Sequence, residues 1–361
     1  MASFDTLLKT MVTRNASDLF ISSGTPVHMK IKGKLVKMTD FNLKSEEASA
    51  VAYKLMNKQQ RLDFEQKPEM NLGISGHDGS RYRVNIFRQR GDISIVIRYL
   101  PTKIPSIEAL RLPKKLHELI TLPRGMILVV GATGSGKSTT LASLIDYRNS
   151  STKSHILTLE DPIEFIHPYK KSVVNQREIG SDTLCYEDAM MNAMREAPDV
   201  ILIGEIRSKD AMEHTITYSE TGHLVLATLH ASNASHALDR IVNFFPEEAR
   251  KQILSDLSRN LRAVVSQRLI PMENGERIAA VELMMVTPRI SDLIAKGDLS
   301  AIREQMEKSP EEGVQTYDQA IFKLIQDKKI SQEEGLKNAE SATNLNVMLR
   351  LQRGAENARK T

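Results

Sequence analysis

Hydrophobic residues follow two different periods along the chain, and the change between them divides it into two parts. Apolar residues at positions 7–12 recur at helical spacing. Alternation of apolar and polar residues then predicts strands within 27–36, 81–89 and 93–100. A helix followed by hairpins and strands predicts a compact α+β domain over residues 1–100.

Three prolines interrupt this pattern. Pro101, Pro105 and Pro113 each fix φ and lack an amide hydrogen, so they disfavour regular structure. The sequence therefore predicts a linker over residues 101–113 and a second domain over residues 114–361.

In the second part, short apolar runs alternate with helical patterns. The runs lie at 126–130, 156–159, 200–203 and 224–228. Strands that are apolar on both faces and separated by helices are typical of a mainly parallel sheet covered on both sides. The overall prediction is an α/β chain.

Beyond Pro246 the spacing predicts a helical C-terminal region. One apolar stripe of this region, typical of a helix face packed on a core, consists of Leu254, Leu257, Leu261, Val264 and Val265.

Composition excludes several classes of protein. Of the 361 residues, 41% are hydrophobic and 26% charged, as in an ordinary globular protein rather than a disordered one. The single cysteine, Cys185, excludes an internal disulfide and a cysteine-based zinc site. No apolar run approaches the roughly 20 residues that cross a bilayer, and the first 18 residues do not resemble a signal peptide. We therefore expect a cytoplasmic protein.

Positive charge is concentrated in the first part. Residues 1–100 carry 16 lysines and arginines against 10 acids, and the remainder carries 33 against 35. Five arginines lie close together in the predicted strands: Arg81, Arg83, Arg88, Arg90 and Arg98. They indicate either a solvated strand face or an anion-binding face; aromatic residues that would support nucleic-acid binding are not interleaved with them.

The segment after the strand 126–130 matches the phosphate-binding pattern G-x-x-x-x-G-K-[ST]. Glycines allow backbone N–H groups to surround phosphates, and the following helix contributes positive potential. Lys137 is predicted to reach the outer phosphates of ATP, and Ser138 to bind Mg²⁺. The predicted nucleotide-binding residues of this loop are Gly131, Ala132, Thr133, Gly134, Ser135, Gly136, Lys137, Ser138 and Thr139.

Carboxylates follow two further strands. The sequence Glu160-Asp161-Pro162-Ile163-Glu164 follows the strand 156–159, and one of its acids is a candidate to orient an attacking water, although Asp161-Pro162 is also typical of a simple turn. The strand 200–203 resembles a Walker B segment with Gly204 where an acid is usual. Magnesium contact is therefore expected from Glu205, with a solvated glutamate as the alternative.

Two histidines bracket the strand 224–228. His223 and His230 are seven positions apart, so they cannot share one strand end, and a joint metal site is disfavoured. His230 lies at the carboxyl end, where it is a candidate to sense phosphate or contact another subunit. A structural role is the commoner one for each.

The segments GATGSGKST, LTLEDPIEF, ILIGEIR and TGHLVLATLH, in this order, resemble the Walker A, Asp box, Walker B and His box of the secretion-superfamily ATPases. Within that superfamily the chain is similar to the retraction ATPases of type IV pili, since it shares their Ala16-Ser17-Asp18-Leu19-Phe20 segment and short N-terminal part. One departure is the eroded C-terminal signature at 288–296, which favours the accessory PilU type over the PilT type.

The resemblance implies an N-terminal PAS-like domain and a C-terminal RecA-like P-loop ATPase domain, assembled as a ring of six. It implies Glu164 as the catalytic glutamate, Glu205 as the Walker B acid, and His223 and His230 as the His box. It also implies that Arg83 and Arg98 reach the nucleotide, a role that suits the planar guanidinium.

The resemblance further implies partners and a location. We expect a homo-hexamer that acts with a PilT-like ATPase and an inner-membrane pilus platform protein, peripheral at the inner membrane and without nucleic acid. Three alternatives stay open: a regulatory ring subunit whose own hydrolysis is dispensable, a pilus assembly or type II secretion ATPase, and a nucleic-acid translocase.

Overall fold

The computed structural model describes residues 4–31, 33–76, 79–101, 103–309, 311 and 313–358, with side chains described as far as residue 352. Contacts between residues divide the chain into two compact units. The first comprises Met1–Lys103 and Ile163–Ile166, and the second comprises Ile104–Pro162 and His167–Thr361.

The described part of the first unit is an α+β domain. Its helices are α1 (Phe4–Thr13), α2 (Ser45–Leu55) and α3 (Lys58–Gln66). Its strands are β1 (Ala16–Ser22), β2 (His28–Ile31), β3 (Lys34–Lys37), β4 (Glu69–Ser75), β5 (Arg81–Gln89) and β6 (Asp92–Leu100). The six strands form one antiparallel sheet in the order β3-β2-β1-β6-β5-β4.

Alternation along β5 and β6 sets the two faces of this sheet. Tyr82, Val84 and Ile86 are buried, while the residues between them are more exposed. The sheet therefore packs its apolar face on the helices and carries Arg81, Arg83 and Arg98 on the opposite face. Arg88 lies on the helix side, where it pairs with Glu65 of α3 at 2.9 Å. The strands predicted at 81–89 and 93–100 are present, and the region predicted as a strand within 27–36 contains the two paired strands β2 and β3. Lys32, between them in sequence, lies outside the described residues.

The second unit is built around a larger sheet. Its elements up to the last strand are α4 (Leu116–Ile120), β7 (Gly125–Val130), α5 (Lys137–Ser151), β8 (His155–Glu160), β9 (Val173–Glu178), α6 (Tyr186–Ala193), β10 (Val200–Ile203), α7 (Lys209–Glu220), β11 (Leu224–Leu229), α8 (Ala234–Val242), α9 (Glu247–Asn260), β12 (Leu261–Pro271) and β13 (Arg277–Met285). In the described residues the strand order is β13-β12-β7-β11-β10-β8-β9, parallel except for β13.

Both faces of this sheet are covered. In β7, Met126 and Leu128 belong to one apolar cluster, whereas Ile127 and Val129 belong to another on the opposite face. All six residues of β7 and of β11 are buried. This explains why these strands read as continuous apolar runs, and it confirms the predicted parallel α/β sheet.

The C-terminal part differs from the prediction. α9 ends at Asn260, and Leu261, Val264 and Val265 lie in strand β12, so the predicted single helical stripe is wrong. A strand buried on both faces has no distinct period, and helical spacing arises in it by coincidence. The helical region begins later, with α10 (Pro288–Lys296), α11 (Ile302–Glu307), α12 (Tyr317–Gln326), α13 (Gln332–Asn338) and α14 (Ala342–Ala358).

Most of the segment predicted as a linker, residues 101–113, groups with the second unit, which begins at Ile104. Ile107 and Leu112 are buried and pack with β7 residues in one apolar cluster. Among the described helices, none combines the length and hydrophobicity needed to cross a bilayer.

Candidate functional site

The candidate site lies at one edge of the second sheet. β7, β11, β10 and β8 are adjacent and parallel, so the loops that follow them leave the sheet on the same side. These loops begin with Gly131, His230, Gly204 and Asp161. Carboxyl ends of parallel strands are where open α/β sheets bind ligands.

The loop between β7 and α5 curves around its own lysine. Lys137 is the first residue of α5, and its side chain is buried. Its Nζ donates hydrogen bonds to the carbonyl oxygens of Gly131 at 2.9 Å and Ala132 at 3.0 Å. Two glycines permit this path: Gly131 has φ +155° and Gly136 has φ +92°. The lysine therefore occupies the centre of the loop.

This loop fits the phosphate groups of a nucleotide. The first N–H groups of α5 have no carbonyl partner within the helix, and they carry the positive end of its dipole. The Ser135 hydroxyl oxygen is buried and has no hydrogen-bond partner among the described residues. A buried polar group without a partner is costly, and a bound phosphate oxygen would satisfy it.

Glu205 and His230 come together beyond the ends of β10 and β11. The Nε2 atom of His230 is 3.3 Å from one Glu205 carboxylate oxygen, and Arg207 Nε donates to the other at 2.7 Å. Arg207 also lies 3.4 Å from Asp161, and its hydrogen bond to Glu205 raises the pKa of its guanidinium. Two of the predicted catalytic residues are thus in direct contact.

Packing explains the missing Walker B acid. A β-carbon at position 204 would lie 2.8 Å from the Tyr186 hydroxyl and 3.1 Å from the Leu159 carbonyl oxygen. Burial, followed by the charge of Asp161, raises the pKa of Tyr186 to about 12, so this phenol stays protonated. No acidic side chain fits at Gly204, and the carboxylate next available is that of Glu205.

The Asp box residues separate. Glu160, at the end of β8, accepts hydrogen bonds from Thr158 at 2.6 Å and Gln176 at 3.2 Å, so its carboxylate is held by its own sheet. Glu164 is exposed, and its segment, 163–166, groups with the first unit. There Arg83 donates a 3.5 Å hydrogen bond to the Ile163 carbonyl oxygen.

Arg83 and Arg98 are neighbours on one face of the first unit. They are directly opposite each other in the register of β5 and β6. Arg98 Nε donates to the buried carboxylate of Asp18 at 2.8 Å, while its side chain is 59% exposed. The Asp18 contact fixes one side of the guanidinium and leaves its exposed part turned to solvent.

His223 lies away from the phosphate loop. It precedes β11, whereas His230 follows it, so the two are separated by the length of a six-residue strand, roughly 20 Å. The Nδ1 atom of His223 is 3.1 Å from the Tyr218 carbonyl oxygen and 3.2 Å from the Thr221 hydroxyl. Within one chain the structure does not bring His223 to the site, and its catalytic role stays a prediction.

The donor set suits Mg²⁺ better than a structural metal. Among the described residues, no group of three or more His, Cys, Asp or Glu side chains is arranged to hold a metal ion. Mg²⁺ keeps most of its waters and is typically held by one or two protein oxygens together with substrate phosphates. A hydroxyl such as Ser138 and a carboxylate such as Glu205 provide oxygens of that type.

Sequence reasoning missed a cavity beside the start of α5. It has a volume of about 290 Å³ and is lined by Gly136 and Thr139 of the loop and by apolar residues that include Leu110, Leu269 and Met272. These residues come from segments near positions 110, 136 and 270, which are distant in sequence. No local motif marks them, so only the fold brings them together.

Comparisons with known proteins show which family this chain belongs to. The family model described as "Type II/IV secretion system protein" matches residues 2–326. The chain belongs to this family. It is 45% identical to the type IV pilus ATPase PilU of Pseudomonas aeruginosa, over 96% of this chain and 91% of PilU. It is 39% identical to the retraction ATPase PilT of the same organism, over 94% of this chain and 98% of PilT.

A solved structure of this family is also similar. The crystal structure of the pilus retraction motor PilT with bound ADP has a TM-score of 0.88 at 37% identity, covering 94% of this chain and 98% of that one. Membership of the family of PilU and PilT, the two-part α/β fold and the ATP hydrolase class are thereby confirmed. The homologues do not favour the assembly, type II secretion or purely regulatory alternatives.

Proposed function

We propose that this chain binds ATP with Mg²⁺ at the loop Gly131–Ser138 and hydrolyses it to drive retraction of a type IV pilus. The observation that carries the proposal is the convergence, at one sheet edge, of a lysine-centred phosphate loop with the Glu205–His230 pair. Phosphoryl transfer requires positioning and charge compensation, and this edge offers both.

Each residue of the loop has a distinct role in this proposal. The Lys137 ammonium exchanges its carbonyl contacts for the outer phosphate oxygens and offsets their charge. The Ser135 hydroxyl and the backbone N–H groups of the loop bind the remaining oxygens. The cavity beside Gly136 and Thr139 is proposed to accept the base, because its lining combines apolar side chains such as Leu269 and Met272 with polar ones such as Gln267.

Ser138 and Glu205 would hold Mg²⁺, which, when bound, neutralises negative charge on the phosphates. His230, whose Nε2 atom lies 3.3 Å from a Glu205 carboxylate oxygen, is proposed to fix the direction in which that carboxylate points. Glu164 is proposed as the acceptor of the proton from the attacking water. Arg83 and Arg98 are proposed to bind phosphate oxygens when the two units close on a nucleotide.

The proposed working form is a homo-hexamer. By its similarity to PilU and PilT, the ring is proposed to act together with a PilT-like ATPase at the cytoplasmic face of the inner membrane, attached through a pilus platform protein. Cycles of binding, hydrolysis and release would alternately close and open the two units, which converts chemistry into movement of the ring.

The catalytic assignment is tested by steady-state ATPase assays on purified variants. Lys137→Ala and Glu164→Gln are each expected to lower kcat by at least about a hundredfold, since one removes charge compensation and the other removes the base. Lys153→Ala and Glu273→Gln, which alter exposed residues outside the site, serve as matched controls with unchanged turnover. Undiminished activity in either site variant would overturn the role given to that residue.

A further inference from the structure

A network of charged residues joins the C-terminal helices to the loop that carries His230. Its centre is Glu340, in the connection between α13 and α14, whose side chain is only 10% exposed. Its two carboxylate oxygens have different partners. One accepts from Arg268 at 3.2 Å and from Asn233 at 3.0 Å, and the other accepts from Arg303 at 3.1 Å.

On one side, this network forms hydrogen bonds with the loop between β11 and α8. Arg268 donates to the Ser232 carbonyl oxygen at 3.3 Å as well as to Glu340. Asn233 caps α8, because its side-chain oxygen accepts from the His236 backbone N–H at 2.9 Å while its amide nitrogen donates to Glu340. Both contacts lie within three residues of His230.

On the other side, the network is anchored in α12. The Asp318 side chain is 3% exposed, accepts from Arg303 at 2.6 Å, and accepts the Glu340 backbone N–H at 2.8 Å. The Arg268 guanidinium also stacks on the buried ring of Tyr317, 4.1 Å from its centroid. Glu340 is therefore fixed through both its backbone and its side chain.

The two carboxylates of this network, Glu340 and Asp318, are largely withdrawn from water, whereas Arg268 and Arg303 are about a third exposed. Hydrogen bonds between charged groups are stronger away from water than at the surface, and removal of one partner leaves the others unsatisfied. A loop held by helix capping alone could shift by an ångström at small cost. A loop held at Ser232 and Asn233 by one carboxylate and one guanidinium cannot shift without breaking both contacts.

We propose that Glu340 and Arg268 are positioning residues for hydrolysis, which hold the loop of residues 230–233 so that His230 meets Glu205. They act through His230 and do not touch the nucleotide. The inference rests on the proposed function, since it assumes that the Glu205–His230 pair serves turnover. It gives helices α11–α14 and the connections between them, which lie outside the motifs named above, an indirect part in hydrolysis.

The test is a double-mutant cycle on the full-length protein, with kcat and KM for ATP measured for Glu340→Gln, His230→Ala and the double variant. Glu340→Gln alone is expected to lower kcat by about tenfold, the effect of a small misplacement of a catalytic group, with KM changed less than twofold. In the His230→Ala background the same substitution is expected to change kcat less than twofold, because nothing remains to be positioned.

Glu333→Gln, an exposed glutamate of α13, is the matched control and should leave kcat unchanged. If Glu340→Gln does not fold, Arg268→Lys provides the same cycle, because lysine keeps the charge but loses the fork that joins Ser232 to Glu340. Equal kcat losses in the presence and absence of His230, or an unchanged kcat in Glu340→Gln, would overturn the inference. An unaffected His230→Ala enzyme would instead overturn the proposed role of the Glu205–His230 pair, and with it the reason for positioning.

Discussion

The Nδ1 atom of His167 is buried and has no hydrogen-bond partner among the described residues. Burial lowers the pKa of this imidazole from 6.5 to about 4, with smaller effects from the charges of Asp146 and Lys170. At neutral pH the side chain is therefore an uncharged residue of the second unit. Although His167 follows the Asp box in sequence, it carries no positive charge at neutral pH, so we assign it no role as a general acid.

Acid is expected to destabilise the second unit through His167. Between pH 6.5 and 4 the unfolded chain binds a proton that the folded protein does not, so stability falls as pH falls, by up to about 3 kcal/mol. His167→Gln, which cannot titrate, should lack this contribution. Differential scanning calorimetry should then show a smaller drop in the unfolding temperature of the variant between pH 7 and pH 4. Identical drops would contradict the buried, neutral state.

Individual residues were predictable from the sequence where their role is local. The phosphate loop is a contiguous pattern, and in the structure residues 131–136 connect strand β7 to helix α5, as the pattern predicts. The contact of His230 with Glu205 needs the register of β10 and β11, which the sequence does not specify. The network around Glu340 joins residues up to 107 positions apart, as in the bond from Asn233, and no local signal marks it.

At the scale of elements, strand β12 is the part of the second unit that the sequence pattern predicts wrongly. The spacing of its apolar residues predicts a helix, because burial on both faces removes the alternation that identifies a strand. In the structure β12 lies beside β7, and Gln267 of β12 accepts a 2.7 Å hydrogen bond from Thr140 of α5. The misassigned strand therefore supports the helix that follows the phosphate loop.

The close approach of β12 makes Gly131 irreplaceable. A β-carbon there would lie 2.4 Å from the Ser135 side-chain oxygen and 2.5 Å from the Gln267 carbonyl oxygen. Gly131→Ala is expected to destabilise the protein by about 1–3 kcal/mol or more, since the backbone must shift. The unfolding temperature of the variant should be lower than that of the wild-type protein, and its affinity for a fluorescent ADP analogue should be weaker.

Gly134→Ala is the matched control within the same loop. Gly134 also has a positive φ, +75°, but a β-carbon there meets nothing within 4 Å. Only the strain of a left-handed alanine is added, roughly 1 kcal/mol. The unfolding temperature should therefore fall less than in Gly131→Ala. Equal losses in the two variants would show that contact with β12 does not constrain the loop.

On the scale of the whole molecule, the residues with proposed roles are distributed over two compact units. The phosphate loop, Glu205 and His230 belong to the second unit, whereas Arg83, Arg98 and the segment of Glu164 belong to the first. The α/β class and most strands of the second unit were predictable, because buried parallel strands leave clear apolar runs. The assignment of residues 163–166 to the first unit was not, because it depends on contacts distant in sequence.

The divergent C-terminal signature raises the question of whether this chain powers retraction by its own ATP hydrolysis. The stretch 288–296, eroded relative to the signature of PilT-type ATPases, forms α10, whose Ile290, Leu293 and Ile294 are buried in the core of the second unit. The divergent sequence thus still serves packing. A variant that is present at the normal level but does not hydrolyse ATP decides whether hydrolysis by this chain itself powers retraction.

The most direct test is to count surface pili and image their retraction in a deletion strain complemented with the wild-type chain or with Lys137→Ala. The deletion strain is expected to carry excess pili that do not retract. The wild-type chain should restore retraction, and Lys137→Ala, expressed at an equal level, should not. Full restoration by Lys137→Ala would contradict the account, because the chain would then assist retraction without hydrolysing ATP.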